Sequence, residues 1–118
     1  MLQVTNDLRE VFSANPLYSK DGKGQDAEVI AKFFLPCSEA TWLITEAEEQ
    51  PNGDWLLFGF CKISDWEFGY VSFRELQSIR VCGIFEIEED SHFTRGTSIK
   101  QALIDLGATE AIWKEDKE

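Results

Sequence analysis

The 118 residues hold one histidine, three cysteines, three prolines and half as many bases as acids, 11 against 22. Each shortage excludes something. A nucleic-acid duplex gripped through its phosphates needs a basic stripe, and a chain of net charge -11 repels a polyanion, so no direct DNA or RNA ligand is expected. Cys37, Cys61 and Cys82 are odd in number and widely spaced, without a C-x-x-C pair beside a histidine. They read as buried, reduced thiols of a cytoplasmic protein rather than a disulfide framework or a zinc site. His92 stands alone as imidazole; a metal centre would need two or three more converging ligands, and acid–base work a second group in a pocket. The expectation is therefore no catalytic residue, no metal and no cofactor. Long apolar runs are also missing. The longest, Trp55 to Cys61, includes Gly59, and the N-terminal residues lack a basic region followed by an apolar one, so neither a membrane span nor an export signal is expected.

What is present points to a folded core. Hydrophobic residues make up 43% of the chain, including nine Phe, four Trp and two Tyr, far beyond the content of a disordered acidic segment. Leu8, Val11 and Phe12 at helical spacing, after Thr5 or Asn6 as cap, predict a short helix that ends at Asn15-Pro16. Ser19 to Gln25 reads as a mobile loop leading into a strand over 28–35. The β-branched and aromatic stretches 40–46 and 55–63 read as strands. Between them Asn52-Gly53 predicts a tight turn with positive φ at both residues, hence an antiparallel hairpin. Gly59, inside the second strand, marks a bulge or a close approach of backbone. A strand follows over 66–71, then a capping box, Ser72 with Glu75, opening a helix to about Ile79. Residues 84–88 alternate like a half-exposed strand, with Phe85 and Ile87 on one side. Ser98 with Gln101 opens a last helix whose Ile99, Ala102, Leu103 and Leu106 share a face, with Gly107 as its stop. The expected fold is one α+β domain over 1–113, a mainly antiparallel twisted sheet of four to five strands with two or three short helices on one face. Residues 114–118 read as a flexible acidic tail.

Pro16-Leu17-Tyr18, Lys32-Phe33-Phe34 with Pro36, Thr41-Trp42, Phe58-Gly59, Glu67-x-Gly69-Tyr70-x-Ser72-x-x-Glu75-Leu76, and Ile87-Glu88 with Asp90 and Phe93 follow one another in an order that resembles the bacterial Domain of Unknown Function 2958 family. The likeness covers roughly residues 5 to 105 and brings no activity with it. It implies a short acidic protein carried on plasmids, prophages and integrative elements, in an accessory role. Ile44 stands where the family often has a second aromatic residue, and Glu89 where it often has a base.

The acids carry the leading functional expectation. Strand residues two apart project to one side about 6.6 Å from each other, so Glu86, Glu88 and Asp90 form a carboxylate row, to which Glu46, Glu48 and Glu49 add if their strand lies nearby. Such a row either keeps an aromatic-rich protein soluble or docks a basic, nucleic-acid-handling host protein. Its concrete form is anti-restriction or anti-CRISPR action by DNA mimicry, without enzymatic activity. Two alternatives stay open: a small-ligand or hydrolytic domain with a polar pocket at Glu67, Tyr70 and His92, and a structural module of a mobile-element assembly. The oligomeric state is open. The aromatic series Trp42, Trp55, Phe58, Phe60, Trp66 and Phe68 reads as core, because a base-stacking surface needs lysine and arginine interleaved.

Overall fold

Thr5 starts the first helix: its hydroxyl accepts the Leu8 amide at 3.1 Å and opens α1, Asn6–Ser13, which buries Leu8 and Phe12. The computed structural model describes residues 2–113; the expected tail 114–118 lies outside them. Strands β1 (Ala31–Phe34), β2 (Thr41–Glu49), β3 (Trp55–Lys62) and β4 (Trp66–Ser72) follow. Next come α2 (Phe73–Ser78), the short strands β5 (Arg80–Val81), β6 (Phe85–Glu86) and β7 (Glu88–Glu89), and α3 (Ile99–Leu106). Five strands pair antiparallel in the order β4-β3-β2-β1-β7, and β5 and β6 form a separate ribbon. The fold is α+β.

The helices divide between the two faces of the sheet rather than sharing one. Phe33, Trp42, Ile44, Trp55 and Leu57 point to a core closed by Leu8 and Phe12 of α1 and by Phe73 and Leu76 of α2. Val29, Leu43 and Phe60 point the opposite way, against Ile99, Ala102 and Leu103 of α3. Trp42-Leu43-Ile44 therefore sends apolar side chains to both sides, the signature of a strand buried on both faces.

The caps and the central hairpin follow the sequence closely. Ser72 and Glu75 make both bonds of the capping box; Ser98 accepts from the Gln101 amide, while the Gln101 side chain turns away to Asp105. Gly107 ends α3 at φ +76°. The hairpin turn differs in one respect: of Asn52 and Gly53, only Gly53 takes positive φ, +87°. Pro51 and Asn52 occupy the central positions of a turn closed by the Gly53 amide on the Gln50 carbonyl at 2.9 Å, a geometry that Pro51 pre-sets.

Three further expectations are corrected. The strand over 84–88 is broken in two: Phe85 and Glu86 pair with β5, Glu88 and Glu89 with β1, and Ile87 between them is buried while Phe85 is 39% exposed. The loop 19–25 is tied down, as described below. Cys37 and Cys82 are exposed and only Cys61 is half-buried, its thiol pushed up to about 12 chiefly by burial. Among the described residues no helix is long and apolar enough to cross a membrane.

Candidate interaction surface

The register of β2 against β3 is regular from Thr41–Lys62 to Ile44–Gly59, then resumes at Glu46–Phe58, leaving Thr45 as an extra residue. This is a β-bulge. A Cβ on Gly59 would lie 2.0 Å from the Leu43 carbonyl oxygen, so the close approach of the two strands requires glycine. The bulge also re-aims the rest of β2. Counting by twos from Trp42 puts Glu46 with the core facing α1; the extra residue turns it to the opposite face, beside Phe58 and Tyr70.

On that face the strands present successive cross-strand rows: Thr41, Lys62 and Trp66; Leu43, Phe60 and Phe68; Glu46, Phe58 and Tyr70; Glu48, Leu56 and Ser72. Helix α3 covers the row of Leu43. Beyond it the aromatic rings continue into solvent. Phe58 stacks on Phe68 with centroids 5.6 Å apart and packs on Tyr70 at 4.9 Å, and Phe60 meets Phe68 at 4.8 Å. Trp113 leans on Phe68 at 5.6 Å. Its amide donates to Gln25 Oε1 while Gln25 Nε2 donates to the Ala111 carbonyl, both at 2.8 Å. The buried Gln25 thereby clasps the segment after α3 onto the loop before β1.

Glu46 is only 4% exposed, and each of its oxygens accepts a loop amide, Oε1 from Tyr18 at 2.8 Å and Oε2 from Lys20 at 2.9 Å. These bonds hold Tyr18 at φ +74°, a left-handed backbone that a bulky residue adopts at a cost of about 1–2 kcal/mol. Both rings face solvent, Tyr18 65% and Tyr70 54% exposed, with the two phenols close enough to act on each other. Desolvation, the neighbouring Tyr18 phenol and the negative field of Glu46 and Asp21 hold the Tyr70 phenol above its ordinary value. Desolvation lowers the Lys20 ammonium, against the pull of Glu28 and Glu46, and its Nζ donates to the Glu28 carbonyl at 2.9 Å. A cavity of about 180 Å³ opens between the loop and the rings, lined by Lys20, Asp21, Gly22, Glu46, Phe58 and Phe68.

The expected carboxylates are dispersed. Glu86 lies in the separate ribbon, 4.0 Å from Arg80, and Glu88 in the main sheet, so the two do not form one row. Asp90 is bound to Lys32 at 3.1 Å and accepts the His92 amide at 3.0 Å. Glu49 pairs loosely with Arg9 at 3.8 Å, while Glu48 is exposed on the aromatic face and accepts from Gln50. Of the six, Glu46 and Glu48 come together. Nor do Glu67, Tyr70 and His92 converge: Glu67 and Tyr70 point to opposite faces of β4, and His92 follows β7 at the other edge, roughly 19 Å away at the usual strand spacing. A larger cavity of about 470 Å³ lies near the C-terminal end of α3, lined by Lys32, Thr41, Lys62, Trp66 and Asp90 among others. Its two ammonium groups are answered by Asp90 and, at 2.7 Å, by Glu39.

Tyr18 and Asp21 were missed as site residues. Their loop contains no apolar periodicity, and the signal that would have found them is a carboxylate at an inward strand position, which needs a donor from elsewhere in the chain.

A family model described as "Protein of unknown function (DUF2958)" matches residues 3–109. Neither a curated protein nor a solved structure matches.

Proposed function

Because the chain belongs to the DUF2958 family of proteins of unknown function, we propose its function from the surface itself: a non-enzymatic, cytoplasmic interaction protein that docks a basic, nucleic-acid-handling partner on the aromatic and acidic face of β3 and β4. The observation that carries this reading is the pair of exposed tyrosines, Tyr18 and Tyr70, held beside Asp21 and Glu48. Among the described residues no base forms an ion pair with either acid. Tyrosine gives large, rigid contact area at low entropy cost, and its ring face attracts lysine and arginine. Net charge -11 adds long-range steering toward a cationic surface. In the mobile-element setting that the family resemblance implies, a host protein that normally holds phosphates would be such a partner. Mimicry of DNA has less support, since it asks for carboxylates at phosphate-like intervals and Glu86, Glu88 and Asp90 are dispersed or paired.

The test compares capture of basic proteins from host lysate by the wild type, by Tyr18→Ala/Tyr70→Ala and by Asp21→Asn/Glu48→Gln, at about 50 and about 500 mM salt. Wild type is expected to retain nucleic-acid-binding proteins that elute with salt, and both variants to retain markedly less. Retention indifferent to salt and to both variants would overturn the proposal.

A further inference from the structure

The two edges of the main sheet are unlike each other. At one end β7 is two residues long, acidic, and tied through Glu89 to Arg95 at 3.2 Å. At the other, β4 runs for seven residues, Trp66 to Ser72, in unbroken register with β3. It contains no proline, no lysine and no bulge to protect that edge, and its one charge is Glu67.

The direction of its main-chain groups follows from one bond. In an antiparallel pair, facing residues alternate between those that exchange both hydrogen bonds and those whose N–H and C=O turn away. Ser72 faces Leu56, yet its amide donates to Glu75 Oε1 at 3.2 Å in the capping box, so that pair is of the second kind. By alternation Tyr70, Phe68 and Trp66 turn their amides and carbonyls outward. The Thr45 hydroxyl, which reaches the Phe58 carbonyl from the β2 side at 3.2 Å, agrees with this parity. Among the described residues nothing hydrogen-bonds to the backbone of 66–71 along that edge. The same three residues carry the rings of the aromatic face, and on the reverse side Gly69 has open space where a Cβ would stand.

We propose that the outer edge of β4 receives an extended, lysine- or arginine-bearing strand of the partner, bonded main chain to main chain at Trp66, Phe68 and Tyr70. The proposal rests on the basic partner argued above and specifies how it binds. Strand addition supplies hydrogen bonds that any extended segment can make; the basic side chains on the aromatic side then lie beside the Trp66, Phe68 and Tyr70 rings. Charge selects the occupant. Asp65 and Glu67 flank or lie within the strand and, among the described residues, neither forms an ion pair. A second copy of this chain would bring the same acids and another -11 to the same edge, whereas a cationic segment is attracted.

The full chain, labelled with ¹⁵N, is titrated at about 50 mM salt with a seven-residue peptide alternating lysine and valine. The comparison is the same peptide N-methylated at every interior amide, which keeps the charge and loses the main-chain donors. The unmodified peptide is expected to bind roughly tenfold more tightly or better and to slow hydrogen exchange at the Trp66, Phe68 and Tyr70 amides. Equal affinity for the two peptides, or binding without protection of those amides, overturns strand addition and leaves the basic-partner reading standing. Failure of both peptides to bind overturns both.

Discussion

Glu46 shows how one residue decides a surface. The sequence marks it as a carboxylate available to a partner; instead it is an internal acceptor that shapes the loop beside it. Replacing it with alanine strands the Tyr18 and Lys20 amides, at about 1–3 kcal/mol each where water cannot reach them. Urea unfolding of Glu46→Ala is expected to show a loss of about 2–4 kcal/mol, with Glu46→Gln, which keeps one acceptor, losing clearly less. Equal losses would mean that the two bonds contribute little. Gly59 was legible before any coordinates, because a glycine inside an apolar strand reports crowding, and Gly59→Ala would place its methyl group against the Leu43 carbonyl. A destabilisation of about 4 kcal/mol or more is expected by the same assay, at the upper end of single-residue effects. The side on which Glu46 emerges was not legible: alternation is counted residue by residue, and Gly59 leaves open whether the neighbouring strand bulges, and at which residue, or only crowds it.

At the scale of elements, the hairpin and α2 are joined through Asp54. Its carboxylate accepts the Ser72 hydroxyl, the Trp55 amide at 2.7 Å and the Arg74 amide at 3.1 Å. Desolvation alone would raise its pKa; these bonds and the Arg74 charge outweigh it and hold the group below its ordinary value. Asp90 is depressed in the same way, its partial desolvation outweighed by the Lys32 bond and the His92 amide. A carboxylate depressed in the folded state stabilises the protein above its unfolded pKa and loses that contribution as pH falls through the folded one. The melting temperature is expected to hold from neutrality to about pH 5 and to drop below about pH 4, with a smaller acid-induced drop in Asp54→Asn. A variant that tracks the wild type at every pH would remove Asp54 from the account. The elements with caps were legible because capping is local chemistry: Thr5, Ser72, Ser98 and Gly107 each sit where their side chain or backbone freedom is needed. The segment 84–88 was misread because Ile87 is drawn into the core facing α1 and α2, a demand set by distant residues that its own alternation does not contain.

For the whole molecule, the sheet is covered on both sides but incompletely on one. The signal was present in Trp42-Leu43-Ile44, three consecutive apolar residues where a one-sided sheet would alternate. Charge acts at this scale with two opposite signs. Self-repulsion of a body at -11 weakens as salt rises, so the melting temperature is expected to climb by a few degrees between about 20 and about 300 mM. Over the same range, association with a basic partner should weaken. A melting temperature that falls with salt would show that the ion pairs outweigh the net repulsion.

The unpaired Thr45 acts as a parity bit. Excising it would leave a regular ladder with every later residue on its present side, whereas taking it into the ladder as an ordinary rung would swap those sides, so that Glu46 and Glu48 would dive into the oily interior while Ala47 and Glu49 surfaced beside the tyrosines. The identity of the outward face is thus written in which rung the ladder skips as much as in the kinds of amino acid it holds.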